Sequence, residues 1–387
     1  IIIELKKGID ILYLATDPDR EGEAIAWHLL EHLKALSLLK RVTIKRIAFN
    51  EITKKAVLGA IETPREVSMT LVNAQQARRA LDYLVGFYLS PLLWRKVAPS
   101  LSAGRVQSPA LRLVAEREAE IEAFVAQEYW SITADLDKSK QPFNARLHTY
   151  KGERVEQFTV TNEGQAAAVK KDLESKANGK LVVTKVEKKQ RKRNPSPPFI
   201  TSTLQQEAAR KLGFSAQRTM GVAQKLYEGV TIKGEGAVGL ITYMRTDGVS
   251  MVAEAITEAR SAIGNMFGKD YVPASPRKYT SKAKNAQEAH EAIRPTSFTR
   301  APSSLKLSGD MAKLYELIWN RATASQMESA RLERTTIEMA DKAETVRLRA
   351  SGSVVRFDGF LKLYIARKSD DEKAASESAL LPPPKEG

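Results

Sequence analysis

Apolar residues follow two spacings along the chain, and the places where one gives way to the other predict its elements. DILYLAT, residues 10–16, is a short apolar run that passes into an acidic stretch. EGEAIAWHLLEHLKAL follows with Ala24, Trp27 and its leucines at helical period. A second strand-like run over 42–49 precedes a helix-like segment over 51–61. This β-α-β-α order predicts a parallel α/β unit, whose ligands lie beyond the carboxyl ends of its strands, next to the residues after Thr16.

Residues 64–128 are nearly all of helical pattern. NAQQARRALDYLVGFYLSPLLWRKV and SPALRLVAEREAEIEAFV flank the Gly-containing loop LSAGRVQ, with Ser108 and Pro109 expected as N-cap and first helical residue. From 129 to 186, YWSITADLD and FNARLHTY alternate as strands do, around a helix-like stretch at 163–175. KVEKKQRKRNPSPPF leads from a basic strand end into a proline-rich connector. Helical pattern then runs from 202 to 328, broken by the Gly-rich stretch 229–239, and strand character returns over 331–364. Strand material on both sides of a helical region predicts an insertion, and no internal repeat is present. The expected domains are therefore 1–63, 64–128, 129–200, 201–330 and 331–387.

Composition narrows the class. The 387 residues, 43% hydrophobic and 28% charged, suit a soluble globular protein of about two to three domains and exclude global disorder. Charges interrupt every apolar run before it reaches the ~18 residues of a membrane span. Zero cysteines exclude disulfides, thiolate catalysis and cysteine-ligated zinc, and fit a reducing compartment. The opening IIIELKKGIDILYLA has no signal-peptide layout and starts at Ile1, and PPPKEG reads as an interruption, so an internal piece of a longer protein is expected. A net charge of +15, from 61 Lys+Arg against 46 Asp+Glu, favours a polyanionic partner.

Several motif matches fail on context. His28-Leu29-Leu30-Glu31-His32 fits the inverted zinc-protease pattern but has no further ligand downstream, and reads as a solvated helix face. Gly234 to Gly239 fits G-x-G-x-x-G, yet strand-like GLITYM follows where a dinucleotide site needs a helix. His290-Glu291 begins like H-E-x-x-H, with Arg294 at the fifth position. No Walker A sequence is present, so ATP hydrolysis by P-loop chemistry is not expected.

The run Asp17-Pro18-Asp19-Arg20-Glu21-Gly22-Glu23 places carboxylates at alternate positions where a strand stops and a helix starts. In an extended segment 17, 19 and 21 share one side, and such a group repels itself unless a cation sits among it. Hard oxygen donors favour Mg²⁺. The alternative is a solvated acidic loop favouring a helix N-terminus.

ATDPDREGEAIAWHL resembles the acidic signature of the Toprim fold. AQQARRALDYLVGFYLSPLLW, LSAGRVQSPALRLVAERE, FITSTLQQEAARKLGFSAQRTM, GLITYMRTDG and AQEAHEAIRPT then follow in the order seen in type IA DNA topoisomerases, over Asp17 to Thr296. Met244 beside the tyrosine is most similar to the bacterial topoisomerase I branch. The resemblance implies a multidomain α/β and α+β fold, with a Toprim α/β domain, helical domains and a β-rich arch forming a toroid. It implies ATP-independent relaxation of negatively supercoiled DNA through transient cleavage of one strand. Mg²⁺ would sit on Asp17, Asp19 and Glu21. Tyr243 would form the 5′-phosphotyrosyl bond, with Arg245 stabilising charge and His290 close to the scissile phosphate. Arg78, Arg79, Arg105, Gln107 and Arg294 would hold the strand.

The chemistry suits these residue types. A covalent link keeps the phosphodiester free energy without ATP, and a phenolate leaves more readily than an alkoxide. A phenol of ordinary pKa near ~10 needs help to lose its proton. Arg245, two residues on, shares a side with Tyr243 if the strand continues, and a guanidinium meets two phosphate oxygens at once. His290 and Arg294, four apart, are expected on one helical face ended by Pro295.

Nothing here matches the family's earlier glutamate-bearing strand, which implies that the fragment cannot complete cleavage and religation by itself. Tyr83 and Phe87 stand where relatives often carry Arg and Tyr for reading a cytosine. The expected partner is single-stranded or negatively supercoiled DNA, with no membrane; the expected setting is a monomer in a bacterial cytoplasm, at the nucleoid. The rival readings are a topoisomerase III or reverse-gyrase-like relative, a single-strand binder that does not cut, and a Toprim nuclease or primase.

Overall fold

The computed structural model describes Leu5 and residues 8–138, 140–232, 234–280 and 291–365. His290 lies outside the described residues. In chain order the elements begin with β1 (Ile11–Leu14), α1 (Arg20–Ala35), β2 (Thr43–Arg46), α2 (Lys54–Glu62), α3 (Met69–Lys96) and α4 (Gln107–Glu122). There follow β3 (Thr133–Lys138), β4 (Gln141–Tyr150), β5 (Glu153–Arg154), α5 (Glu163–Ala177) and β6 (Val182–Arg193). Next come α6 (Thr201–Leu212), α7 (Ala216–Glu228), β7 (Val230–Ile232), β8 (Gly236–Val238), α8 (Ala253–Phe267) and α9 (Gly309–Ser325). The last are β9 (Ala330–Ala340), β10 (Val346–Phe357) and the short α10 (Lys362–Ile365). The expected segments gather into two compact units, one of residues 1–124, 197–258 and 278–322, the other of 125–196, 259–277 and 323–387.

In the first unit β1 and β2 pair in parallel, Ile11 opposite Thr43 and Leu14 opposite Arg46, and α1 covers them through Ala26 and Leu30 packed on Leu14. The second strand is shorter than its apolar run. Past Arg46 the backbone finds other partners: Asn50 and Ile52 carbonyls accept from the Tyr243 and Gly239 amides. The Gly-rich stretch 229–239 is the β7–β8 hairpin, antiparallel with Val230 opposite Val238.

Three local expectations are corrected. Ser108 is not the N-cap of α4; the helix begins at Gln107, and the Ser108 hydroxyl accepts from the Gly104 amide instead. Pro109 then stands third in the helix, which its missing N–H allows because first-turn amides have no intrahelical partner. GLITYM joins no ladder, making only an isolated bridge between Ile241 and Pro295, and the chain bends at Met244 and Arg245, so the expected strand does not continue to Arg245. Residues 291–295 are not helical either: Ile293 bridges Phe199, and the chain is held extended by pairing with a distant segment.

The second unit is built on an antiparallel sheet of order β3-β4-β10-β9-β6, with β5 beside β4. Strands from before and after the helical stretch thus pair in one sheet. One face buries Ala145, Leu147, Ile337, Met339 and Leu348 against Val169 and Leu173 of α5. The other face carries Arg146, Arg349 and Glu338, in register across β4, β10 and β9.

Candidate active site

The first strand delivers the acidic run to the start of α1. Asp19 has extended φ/ψ and caps the helix, its Oδ1 accepting from the Gly22 amide at 2.8 Å. Helical geometry begins at Arg20, so the side-chain period changes from two to 3.6 inside the motif. The expectation that Asp17, Asp19 and Glu21 converge fails for this reason. Asp17 and Asp19 are neighbours, while Glu21 accepts from Gln75 Nε2 at 3.0 Å. Among the described residues no group of three His, Asp or Glu side chains is arranged to hold a metal. Gly22 is required here: a Cβ would lie 2.2 Å from the Asp17 carbonyl oxygen.

Glu23 and Arg46 hold this loop from beneath, and neither was singled out from the sequence for that part. Arg46, fully buried, donates from Nη1 to the carbonyls of Leu14 and Thr16, from Nη2 to that of Asp17, and from Nε to Glu23. Glu23 also accepts from both terminal nitrogens of Arg65 and from the Ser68 amide. Burial pushes the Glu23 carboxyl up, but these donors outweigh it and hold the group below its usual range. The sequence signal was slight: an arginine inside the apolar run VTIKRIAF.

Tyr243 reaches the acidic loop from the segment after β8. Its amide donates to Asn50 at 2.7 Å and the Thr242 amide to Arg294 at 2.9 Å, which sets the backbone beside the end of the second strand. The Tyr243 hydroxyl donates to Asp19 Oδ2 at 2.8 Å, across 224 residues of sequence. The ring packs edge-on to Tyr227 with centroids 5.3 Å apart. Burial, the Asp19 hydrogen bond and the charges of Asp19 and Asp17 all raise the phenol's proton affinity, and Arg245 pulls the other way. Asp17 is raised as well, by burial first and then by Asp19.

Beside this pair lies a cavity of about 520 Å³ whose lining includes Asp19, Glu21, Arg78, Thr201, Arg245 and Asp247. Arg245 and Arg78 are thus brought to one space with the carboxylates. Thr201 and Asp247 were missed, although Asp247 follows Arg245 by two residues in MRTDG. The Thr201 hydroxyl donates to the Met244 and Thr246 carbonyls and accepts from the Thr246 amide, fixing the turn that carries Arg245.

The remaining candidates are placed elsewhere. Arg79 is exposed on α3. Arg105 makes a two-pronged contact with Asp82, and Gln107 lies against Gly104. Arg294 is corrected outright. It is 4% exposed, ion-paired with Glu291 and Glu51 and bonded to the Pro295 carbonyl, so its donors serve the protein rather than a strand. Tyr83 and Phe87 stack on α3 with centroids 4.5 Å apart, both rings exposed.

Comparison with known proteins agrees with this geometry. Residues 1–52 match the model of the Toprim domain and residues 66–387 that of the DNA topoisomerase family. DNA topoisomerase 1 of Xylella fastidiosa (strain 9a5c) is 53% identical over 378 residues, 97% of this chain and 46% of that protein. Its namesake from Rickettsia felis is 54% identical over 390 residues, 100% of this chain and 49% of that protein. Full-length topoisomerase I from Thermotoga maritima matches in structure with a TM-score of 0.76 at 37% identity, covering 100% of this chain and 59% of that one. The chain thus spans about half the length of these curated relatives.

Proposed function

The chain belongs to the bacterial type IA DNA topoisomerases, and from that premise we propose that it carries out ATP-independent relaxation of negatively supercoiled DNA by transient cleavage of one strand. The observation that carries this reading is the 2.8 Å hydrogen bond from Tyr243 to Asp19.

In the resting arrangement the phenol is kept protonated. A strand phosphate entering the cavity meets Arg245 and Arg78, whose guanidinium groups favour the phosphate oxygens and the charge that develops on them. Asp19 lies within hydrogen-bond reach of the phenolic proton and is its acceptor as attack begins. The tyrosine oxygen bonds to phosphorus, the bond to the 3′ oxygen breaks, and that end leaves as a hydroxyl, the proton taken up by Asp19 being returned to it through solvent. Reversal by the same hydroxyl reseals the strand. Because the phosphodiester is exchanged and not hydrolysed, no nucleotide is consumed.

Mg²⁺ fits the donor set. Asp17 and Asp19 are hard oxygen donors, close enough that the Asp19 charge adds to the larger effect of burial in raising the proton affinity of Asp17. They would hold the ion through one or two carboxylates with water, and Glu21, which lines the same cavity as Asp19, would be the third donor. When bound, the ion neutralises phosphate charge. The partner is DNA, single-stranded or negatively supercoiled, and the protein acts as a monomer in the bacterial cytoplasm, at the nucleoid. No described helix is long and apolar enough to cross a membrane.

The test is adduct formation. Full-length protein incubated with 3′-labelled single-stranded DNA and Mg²⁺ is expected to retain label after denaturation, and Tyr243→Phe to retain none. Label kept by the variant would overturn the reading. Strand binding without any adduct in the unaltered protein would leave a binder that does not cut.

A further inference from the structure

The polar face of the sheet in the second unit holds a concavity of about 480 Å³, lined by Arg146, Arg154, Arg349, His148, Tyr129 and Glu156, among others. Arg146 on β4 and Arg349 on β10 stand directly opposite in the antiparallel register. Like charges so placed destabilise a sheet unless an anion lies between them. Arg349 Nη2 bonds Glu338 at 2.6 Å, but its buried Nε has no hydrogen-bond partner. Among the described residues Arg146 and Arg154 form no ion pair. Glu156 is the one carboxylate in the lining, against three guanidinium groups. The imbalance is felt locally: burial lowers the His148 imidazole's proton affinity, and the Arg349, Arg154 and Arg347 charges lower it further against the pull of Glu338.

A guanidinium cluster in a concave wall, in which only Arg349 is ion-paired among the described residues, matches phosphate oxygens, which a planar fork meets two at a time. Tyr129 adds an exposed ring at the rim, 49% accessible and held edge-on by Phe158. A cationic groove with an aromatic platform is the combination that binds an unpaired strand irrespective of sequence. We propose that this concavity is a phosphate-recognition site, separate from the Tyr243 cavity, that takes a backbone phosphate of single-stranded DNA and stacks the adjoining base on Tyr129. The assignment rests on the DNA-relaxing reading above and adds to it a strand contact on the β-rich unit.

The experiment uses full-length protein carrying Arg146→Ala and Arg154→Ala together, both exposed in the folded chain. Binding of a dye-labelled oligothymidylate is followed by anisotropy across a salt series. Loss of two phosphate contacts is expected to flatten the slope of log K against log salt by about 1.4, at ~0.7 per contact on a single strand. Tyr129→Ala is expected to weaken binding about tenfold at fixed salt with the slope unchanged, a result that charge removal or misfolding would not produce. An unaltered slope in the double variant overturns the proposal. So does calorimetric binding of inorganic phosphate that the double variant loses while its DNA slope stays unchanged, since the site would then serve a free anion. Adduct formation at saturating oligonucleotide is expected to survive both changes, whereas its absence from unaltered protein would fail the parent reading and not this one.

Discussion

Asp19 makes two contacts with its two carboxylate oxygens, one capping α1 at Gly22 and the other accepting a hydrogen bond from the Tyr243 hydroxyl. Substitutions separate them. Asparagine still caps a helix, so Asp19→Asn is expected to leave the thermal midpoint nearly unchanged while slowing cleavage about 10²–10⁴-fold, as loss of a proton acceptor does. Asp19→Ala removes the cap as well, and chemical denaturation should show a further loss of about 1 kcal/mol. Similar cleavage rates for the asparagine variant and unaltered protein would detach Asp19 from the chemistry. Gly22→Ala tests the loop by sterics alone. With a Cβ only 2.2 Å from the Asp17 carbonyl oxygen, the loop must shift, and cleavage should fall although no charge or polar group has changed.

At the scale of elements, the strand ends are held by side chains that satisfy carbonyls no ladder reaches. Arg46 does this for the acidic loop. Arg46→Met would strand Glu23 as a buried carboxylate with one guanidinium fewer, and a loss of about 3–5 kcal/mol in urea unfolding is expected. Asp341 plays the matching part for amides in the turn between β9 and β10, where it accepts from the Val346 and Ala343 N–H groups and the Thr345 hydroxyl. Burial pushes its carboxyl up, but these donors prevail and keep it below its ordinary value. A lowered pKa means the stabilisation is complete above the unfolded value, ~3.9, and is lost as pH falls through the folded one. Asp341→Asn should therefore melt lower than unaltered protein at pH 7, with the gap closing under strongly acid conditions. A gap that persists unchanged into acid would refute the assignment.

Across the whole molecule, the long helices of the first unit leave much apolar surface open. Phe87, Leu111, Leu113 and Phe124 are 68%, 69%, 69% and 74% exposed, more than isolated surface residues would explain. The 387-residue chain alone is expected to self-associate, and light scattering should fall on changing Leu111 and Leu113 to glutamine with the melting temperature unmoved. The elements and the acidic motif after the first strand were legible in the sequence, and so was the contiguous motif that singles out Tyr243 among 11 tyrosines. Each depends on spacing or on a contiguous motif, which neighbouring residues suffice to specify. Ser108 and the segment leading to Pro295 misled because a cap or an extended pairing is settled by which backbone groups lie nearby. Only the tertiary structure decided that Asp19 meets Tyr243, that Glu21 turns to Gln75, and that Arg294 is buried between Glu291 and Glu51. A side chain's protonation and partners depend on the solvent and charges around it in space, and those are supplied by segments far away in the chain.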